Sequence, residues 1–297
     1  MSIPESNRFD RKLGKKSFLV TMEVNPPKGT DLSEIISAVE RVKRLVDAIN
    51  VTDGSGAIMR AAPLAVAKAV LDAGVDPVLQ MTCRDRNRLA LQADLLGASI
   101  LGIRNVLLLT GDDPKAGDHP EAKPVFDINS ATLMQVAKGL SEGKDMAGKP
   151  LTGLPQFCIG AAADPGAKDL VVEMQKFKAK VAGGASFFQT QAVFDAGPLR
   201  AFMERAKPFG KPVLAGILLV KSAKMAHYMN EHVWGIHVPE PLIERFERAS
   251  DKRAECITVT TELIRAVRES ADGIHLYALG WEDLVPEILK RAELVPA

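Results

Sequence analysis

The sequence predicts an α/β protein of the (β/α)8, or TIM-barrel, class, folded as a single domain over residues 1–297. Three observations carry that expectation. Eight short aliphatic runs are each followed by a segment of helical period. Most of them recur at about every 27–30 residues, the repeat expected of a barrel of ~250 residues. The first run ends in Glu23-Val24-Asn25-Pro26-Pro27 and is not followed by a GxGxxG fingerprint. That disfavours a doubly wound open sheet, which places such a turn after its first strand.

The elements follow in order. Phe18–Glu23 reads as the first strand, and the segment from Asp31 to Val42 as a helix with Asp31 at its N-cap. Ala48–Asp53 is the second strand, stopped by Gly54-Ser55-Gly56, and Pro63–Ala73 its helix. Asp76–Thr82 and Asn105–Thr110 are strands three and four, separated by a helix over Leu89–Leu96. The repeat then lengthens through a Pro/Gly/Asp-rich stretch over residues 114–150 that holds a helix near Ser130–Gly139. Gln156–Gly160, Ser186–Thr190 and Pro212–Leu218 are strands five to seven, with helices over Asp169–Ala182 and Pro198–Ala206. Helices over Lys224–Asn230 and Pro239–Glu269, strand eight at Gly273–Leu279 and a helix over Glu282–Arg291 complete the set. Residues 1–17, polar and basic, are expected to form a flexible N-terminal segment.

Composition narrows the function classes. With 38 Lys+Arg against 37 Asp+Glu, the net charge of +1 offers no polyanion-binding excess, so neither nucleic acid nor an anionic membrane surface is an expected partner. Aromatics are only 5% of residues against 46% hydrophobic, an aliphatic bias that suits strands buried on both faces. The three cysteines lie far apart, and no HExxH, GxSxG or Walker A sequence occurs, so no metal site is expected. No apolar run reaches the ~18–20 residues of a membrane span and no signal sequence opens the chain, so a soluble, cytoplasmic protein is expected.

Barrel active sites form at the carboxyl ends of the strands. Here those ends supply Glu23, Thr52 and Asp53, Thr82, Thr110-Gly111-Asp112, Ala161–Asp164, Gln189 and Gln191, Gly216 and Tyr277. Glu23 closes an apolar strand ahead of two prolines. Partial desolvation at a barrel mouth favours a carboxyl's protonated form, the state a general acid needs. Equally, Glu23 could pair with a loop lysine such as Lys28. Gly111 permits close backbone approach to a ligand and Asp112 could place charge beside a cofactor ring, although Gly-Asp-Asp-Pro also serves as a plain turn. The five histidines are scattered and are assigned structural places, His275 as barrel lining between Ile274 and Leu276.

Taken together, these strand ends resemble the methylenetetrahydrofolate reductase family in its short bacterial form, over about Phe18 to Ile288. Met22-Glu23-Val24-Asn25-Pro26-Pro27 looks like the family's Phe-Glu-Phe-Phe-Pro-Pro, and Val51-Thr52-Asp53-Gly54 is similar to Val-Thr-Tyr-Gly. Met81-Thr82-Cys83 resembles Leu-Thr-Cys, and Leu109-Thr110-Gly111-Asp112 resembles Leu-Arg-Gly-Asp. Thr190-Gln191-Ala192-Val193-Phe194-Asp195 and Gly216-Ile217-Leu218 complete the series. The resemblance implies a flavoprotein that reduces 5,10-methylenetetrahydrofolate to 5-methyltetrahydrofolate in one-carbon metabolism and methionine biosynthesis. Reduced flavin would deliver hydride after acid-assisted ring opening to the 5-iminium cation. By the same resemblance Glu23 is the general acid and Asp112 tunes the flavin and favours the cation. Gln191 and Tyr277 bind the folate, and Thr52, Asp53, Thr82, Gly111, Asp112 and Lys180 bind the cofactor, Lys180 at its phosphates. The implied cofactor is FAD, with FMN the alternative, and the implied donor is NADH or NADPH or a partner protein within a homo-oligomer or hetero-complex.

The departures are specific. The family's Arg before Gly-Asp is Thr110, its Tyr-Pro-Glu-x-His-Pro stretch appears as Ala161–Pro165, and a phenylalanine after Gly-Ile-Leu aligns with Ala223. The arginine after the Tyr-x-Leu segment is replaced by Trp281. They bear on FAD against FMN and on direct donation by NADH. Two other readings stay open: a folate-binding barrel methyltransferase, and a non-catalytic reductase-like subunit of an electron-transfer complex.

Overall fold

In the computed structural model, which describes residues 8–15, 18–233 and 235–295, eight strands close into a single barrel in sequence order. The strands are β1 Leu19–Val24, β2 Ala48–Val51, β3 Pro77–Thr82, β4 Asn105–Leu109, β5 Cys158–Ala163, β6 Phe187–Ala192, β7 Val213–Leu218 and β8 Gly273–Tyr277. Every neighbouring pair is parallel, and β1 with β8 closes the ring, Met22 standing opposite Leu276. The expected (β/α)8 class is what the chain adopts.

Side chains alternate across each strand, and the alternation sorts them. On β1, Val20, Met22 and Val24 pack outward among the helices, with Ile49 and Val51 of β2 and Ile274 and Leu276 of β8 in the same shell. The inward positions carry a different set. At the floor a separate apolar cluster joins Leu19, Ala48, Val78, Leu107, Cys158, Phe187 and Leu214. Above it the same strands turn polar, with Thr21 and Glu23 on β1, Asn50 on β2, Gln80 and Thr82 on β3, Gln189 on β6 and His275 on β8.

Helices α2 Ser33–Val42, α3 Pro63–Asp72, α4 Arg88–Ile100, α5 Ser130–Ser141, α6 Leu170–Ala182 and α7 Ala196–Ala206 wrap the barrel, followed by α8 Ala223–His232, α9 Glu240–Arg248, α10 Lys252–Val267 and α11 Val285–Arg291. Many begin on a side-chain cap after the strand's carboxyl end. Asn87, Asn129, Asp169, Asp195, Ser222 and Asp251 each accept from first-turn amides, which fixes the length of the loops that form the rim. The cap at Asp251 is also why the single helix expected over Pro239–Glu269 is two, since an extended Ala249 ends α9.

Of the segment over residues 1–17, for which flexibility is expected, residues 1–7 and 16–17 lie outside the described residues, and the described part holds a five-residue helix, α1 Phe9–Leu13, docked under the barrel. Phe9 is fully buried, edge-on to Phe187 with ring centroids 5.1 Å apart. Asp76, at the foot of β3, accepts from the Phe9 amide at 2.8 Å and from Asn105 Nδ2 at 3.0 Å, and pairs with Arg8 at 3.3 Å. Lys12 reaches Asp47 at 2.7 Å. One aromatic among polar residues leaves no helical periodicity to read, because the helix owes its place to tertiary contacts rather than local propensity. Phe9→Ala should therefore lower unfolding free energy by about 3–5 kcal/mol in urea denaturation, the cost of truncating a buried aromatic. A loss below ~1 kcal/mol would show that α1 does not seal the floor.

Candidate active site at the carboxyl rim

Glu23 is the uppermost inward position of β1 and is only 7% exposed. Its Oε2 lies 3.6 Å from Nε2 of His275, across the β1–β8 seam. Tyr277, the next inward position of β8, packs edge-on to the His275 ring at 4.7 Å. Burial pushes the Tyr277 phenol far above its ordinary range, and the nearby Glu23 charge adds to that. The Tyr277 hydroxyl donates to the Thr190 carbonyl at 2.8 Å, so the atom expected to bind substrate is engaged with β6. Gly216 of β7 makes room for this, since a Cβ there would fall onto the Thr190 carbonyl and within 2.8 Å of the Tyr277 ring.

A second group joins the ends of β2, β3 and β4. Thr52 Oγ1 donates to Asn25 Oδ1 at 2.8 Å. Asp53 Oδ2 accepts from the Thr82 amide at 2.7 Å and hydroxyl at 3.0 Å, and also pairs with Arg86. Asp53, Thr82 and Arg86 thus form a strut between two rim loops. Gly111, at φ +96°, needs to be glycine for a reason other than ligand approach: a Cβ would lie 2.9 Å from Thr82 Cβ and 3.1 Å from Arg84 Cβ. Asp112 beyond it is exposed, and its Oδ2 accepts from the Gly56 amide at 2.9 Å, clipping the β4 loop to the β2 loop. Asp118 ties the same region to the β1 loop through Lys28 and to the Met59 amide at 2.9 Å. Those partners hold its carboxyl well below the usual range. Lys28, considered above as a partner for Glu23, is engaged here instead.

Gln191 lies across the mouth on β6, its Oε1 accepting from the Ala192 amide at 3.2 Å. A Cβ on Gly235, in the loop after α8, would come within 3.5 Å of its Nε2. Lys180 belongs to the outer helix α6, and its Nζ donates to the Ala162 carbonyl of β5 at 2.6 Å. Burial pulls this ammonium below its ordinary range. The structure therefore joins Glu23 with Tyr277, joins Asp53 with Thr82, Gly111 and Asp112 in a neighbouring sector, and leaves Lys180 in the helical layer.

The most informative residues that the strand ends did not supply are His275, Asn50 and Thr21, and they meet Gln189, which is among the strand ends but has no role assigned from the sequence. His275 does line the barrel, as expected, but it also faces the candidate acid. The signal was present as alternation. Thr21/Glu23, Gln189/Gln191 and His275/Tyr277 are polar pairs spaced by two within aliphatic strands, which places each pair on the inward face. Among the described residues, no helix is long and apolar enough to cross a membrane.

With that geometry in hand, similarity to known proteins can be placed. Residues 8–293 match the family model described as methylenetetrahydrofolate reductase. A Caenorhabditis elegans protein named as a probable methylenetetrahydrofolate reductase (NADPH) is 24% identical over 310 residues, covering 97% of this chain and 44% of that protein. The chain spans about half the length of such relatives, whereas it covers 87% of the 5,10-methylenetetrahydrofolate reductase of Pectobacterium carotovorum subsp. carotovorum, at 24% identity over 279 residues. Among solved structures, an uncharacterized protein from Clostridium thermocellum that binds two copies of 5-methyl-5,6,7,8-tetrahydrofolic acid superposes with a TM-score of 0.62 at 14% identity, covering 96% of this chain and 98% of that one. A 2,3-dimethylmalate lyase gives 0.54 at 12% identity, covering 97% and 88%, and at these identities both likenesses show the shared fold alone. The match across nearly the whole chain shows that it belongs to the methylenetetrahydrofolate reductase family.

Proposed function

We propose that this chain is a flavin-dependent reductase that converts 5,10-methylenetetrahydrofolate to 5-methyltetrahydrofolate. The observation that carries the reading is Glu23, a nearly buried carboxyl at the mouth of a barrel whose other inward strand positions hold no carboxylate. Family membership supports the substrate class.

The sector beside Glu23 suits a flavin ring in its chemistry. Thr52 and Thr82 supply hydroxyls, Gly111 a stretch of backbone without a side chain, and Asp112 an exposed carboxylate. Thr52, Gly111 and Asp112 would contact the ring, with Thr82 beside them and Asp53 holding Thr82 in place. Lys180 would reach phosphates only by leaving the Ala162 carbonyl. FAD is the cofactor proposed, FMN being the alternative, and reduced flavin supplies the hydride when bound. The electron donor proposed is NAD(P)H, or a partner protein in a homo-oligomer or hetero-complex.

The residues of the chain do the rest. Glu23 gives its proton toward N10 of the folate as the five-membered ring opens, which leaves positive charge at the N5 end. Asp112 favours that charge electrostatically, and Gln191 orients the pterin through its amide. Enclosure by β1, β8 and the rim loops limits the water that could hydrolyse the cation. The methyltransferase alternative lacks a comparable observation in its favour. The reading of a non-catalytic subunit is opposed by the presence of Glu23, Asp112 and Gln191 together.

Glu23→Gln should slow oxidation of the reduced protein by methylenetetrahydrofolate about 10²–10⁴-fold, the usual worth of a general acid, with flavin content unchanged. Stopped-flow absorbance at the flavin band measures this, and an unchanged rate would remove the acid role. Asp112→Asn keeps an oxygen to accept from the Gly56 amide while removing the charge. It should leave the melting temperature within a few degrees and slow the same half-reaction about tenfold or more, as expected for a lost electrostatic contact. Mass analysis of the group released from protein purified without added flavin decides between FAD and FMN. A protein that neither carries nor takes up flavin would overturn the proposed function.

A further inference from the structure

Beneath Glu23 the barrel holds a chain of polar side chains that proton donation alone does not call for. Thr21, Asn50, Gln189 and His275 all face inward and are all essentially fully buried. Asn50 Nδ2 donates to Gln189 Oε1 at 2.7 Å, and Gln189 Nε2 donates back to Asn50 Oδ1 at 3.1 Å, a reciprocal amide pair. The same Gln189 Nε2 lies 3.1 Å from Thr21 Oγ1 and 3.2 Å from His275 Nδ1. Thr21 Oγ1 is 2.9 Å from that ring nitrogen and 3.4 Å from the Ile274 carbonyl. A polar layer in an otherwise aliphatic barrel is costly unless its members satisfy one another, and these do.

The chain has a direction. Gln189 Nε2 has two protons, taken up by Asn50 Oδ1 and Thr21 Oγ1. The donor that His275 Nδ1 meets is therefore the Thr21 hydroxyl, nearer at 2.9 Å than that hydroxyl's other acceptor, the Ile274 carbonyl at 3.4 Å, and Nδ1 acts as the acceptor. The single proton of a neutral imidazole then sits on Nε2, and Nε2 is the atom 3.6 Å from Glu23 Oε2. We propose that His275, held by Gln189 and Thr21 as the neutral Nε2–H tautomer, is the positioning residue for Glu23; this rests on the reading of Glu23 as the proton donor. In the proton transfer the Glu23 O–H bond breaks and an N10–H bond forms, while the electron pair of the ring C–N10 bond passes to N10. The carboxylate left behind meets the N–H of His275, so the new negative charge has a donor waiting. An imidazolium in the same place would stabilise the carboxylate beforehand and withdraw the proton from use.

Other groups facing Glu23 do not substitute. Among the described strand residues flanking Glu23, Tyr277 is the other titratable side chain, and its hydroxyl is committed to the Thr190 carbonyl. The other inward positions on the flanking strands are Thr21, Asn50 and Thr52, and across the barrel Gln80, Thr82, Gln189, Gln191 and Gly216. None of these carries a charge.

The test combines a nitrogen signature with kinetics. In 15N-histidine-labelled holoprotein, assigned by comparison with His275→Gln, Nδ1 of His275 should resonate as an unprotonated ring nitrogen and Nε2 as a protonated one. Gln189→Glu puts a carboxylate opposite Nδ1. It should convert Nδ1 to the protonated form and slow single-turnover oxidation of the reduced holoprotein by methylenetetrahydrofolate about tenfold or more. Its pH–rate profile should move to lower pH, with flavin content and reduction by dithionite unchanged. His275→Gln keeps an N–H that cannot become charged and should retain more of the rate than His275→Ala. A protonated Nδ1 in the wild type, or an unmoved pH–rate profile in Gln189→Glu, overturns the proposal. A wild type that shows the expected nitrogen signature but never reacts with methylenetetrahydrofolate overturns the proposed function while upholding the tautomer.

Discussion

Closing eight parallel strands into a ring buries both faces of every strand, and the two-residue alternation decides what each face carries. Outward positions must fill the gap to the helices, and they do so with Val20, Met22, Ile49, Leu79, Val106, Ile217 and their like. Inward positions are free of that demand at the top, where the barrel opens. Strands β1, β3, β6 and β8 therefore change character along their own length, from Leu19, Val78, Phe187 and Gly273 at the floor to Glu23, Thr82, Gln191 and Tyr277 at the mouth. The site is the exposed end of a gradient that begins in the hydrophobic floor.

That gradient needs the floor sealed. A barrel open at both ends would wet the polar layer from below, and the reciprocal amide pair of Asn50 and Gln189 would compete with solvent. Phe9 closes this end against Phe187, and Asp76 fastens α1 through its backbone amide. The rim is organised by a different device. Arg86–Asp53, Gly56–Asp112 and Lys28–Asp118 link the β2 loop to the β3 loop, the β2 loop to the β4 loop and the β1 loop to the β4 loop, so that one half of the mouth is laced together by acids.

The barrel class was legible because strand and helix periods alternate at a nearly constant spacing, and the strand ends were legible because polar residues interrupt aliphatic runs. The registry between strands was not. That Glu23 faces His275 follows from pairing β1 with β8, residues 252 positions apart in the chain, which is set only when the ring closes. The fate of individual polar groups was equally hidden. Thr52, Asp53 and Thr82 look alike as rim residues, yet Asp53 and Thr82 are bound to each other and to Arg86 while Thr52 turns to Asn25. Lys180 matches a motif position, but its helix lies outside the barrel, and the nearest acceptor its ammonium finds is a strand carbonyl.

Three acids at the mouth show how placement, rather than residue type, assigns chemistry. Asp53 accepts a backbone amide, a hydroxyl and a guanidinium, all of which stabilise its charged form. Those contacts make Asp53 a brace between two rim loops. Asp112 is exposed and clips a loop through one oxygen, leaving a fixed negative charge at the edge where a cation would develop. Glu23 is enclosed by the barrel wall and faces an imidazole whose other nitrogen is occupied by the Thr21 hydroxyl. A neutral ring neither strips the acid of its proton nor leaves the resulting carboxylate without a donor. Of the three, Glu23 alone occupies an inward strand position and faces an imidazole, the placement that the proposed proton donation requires.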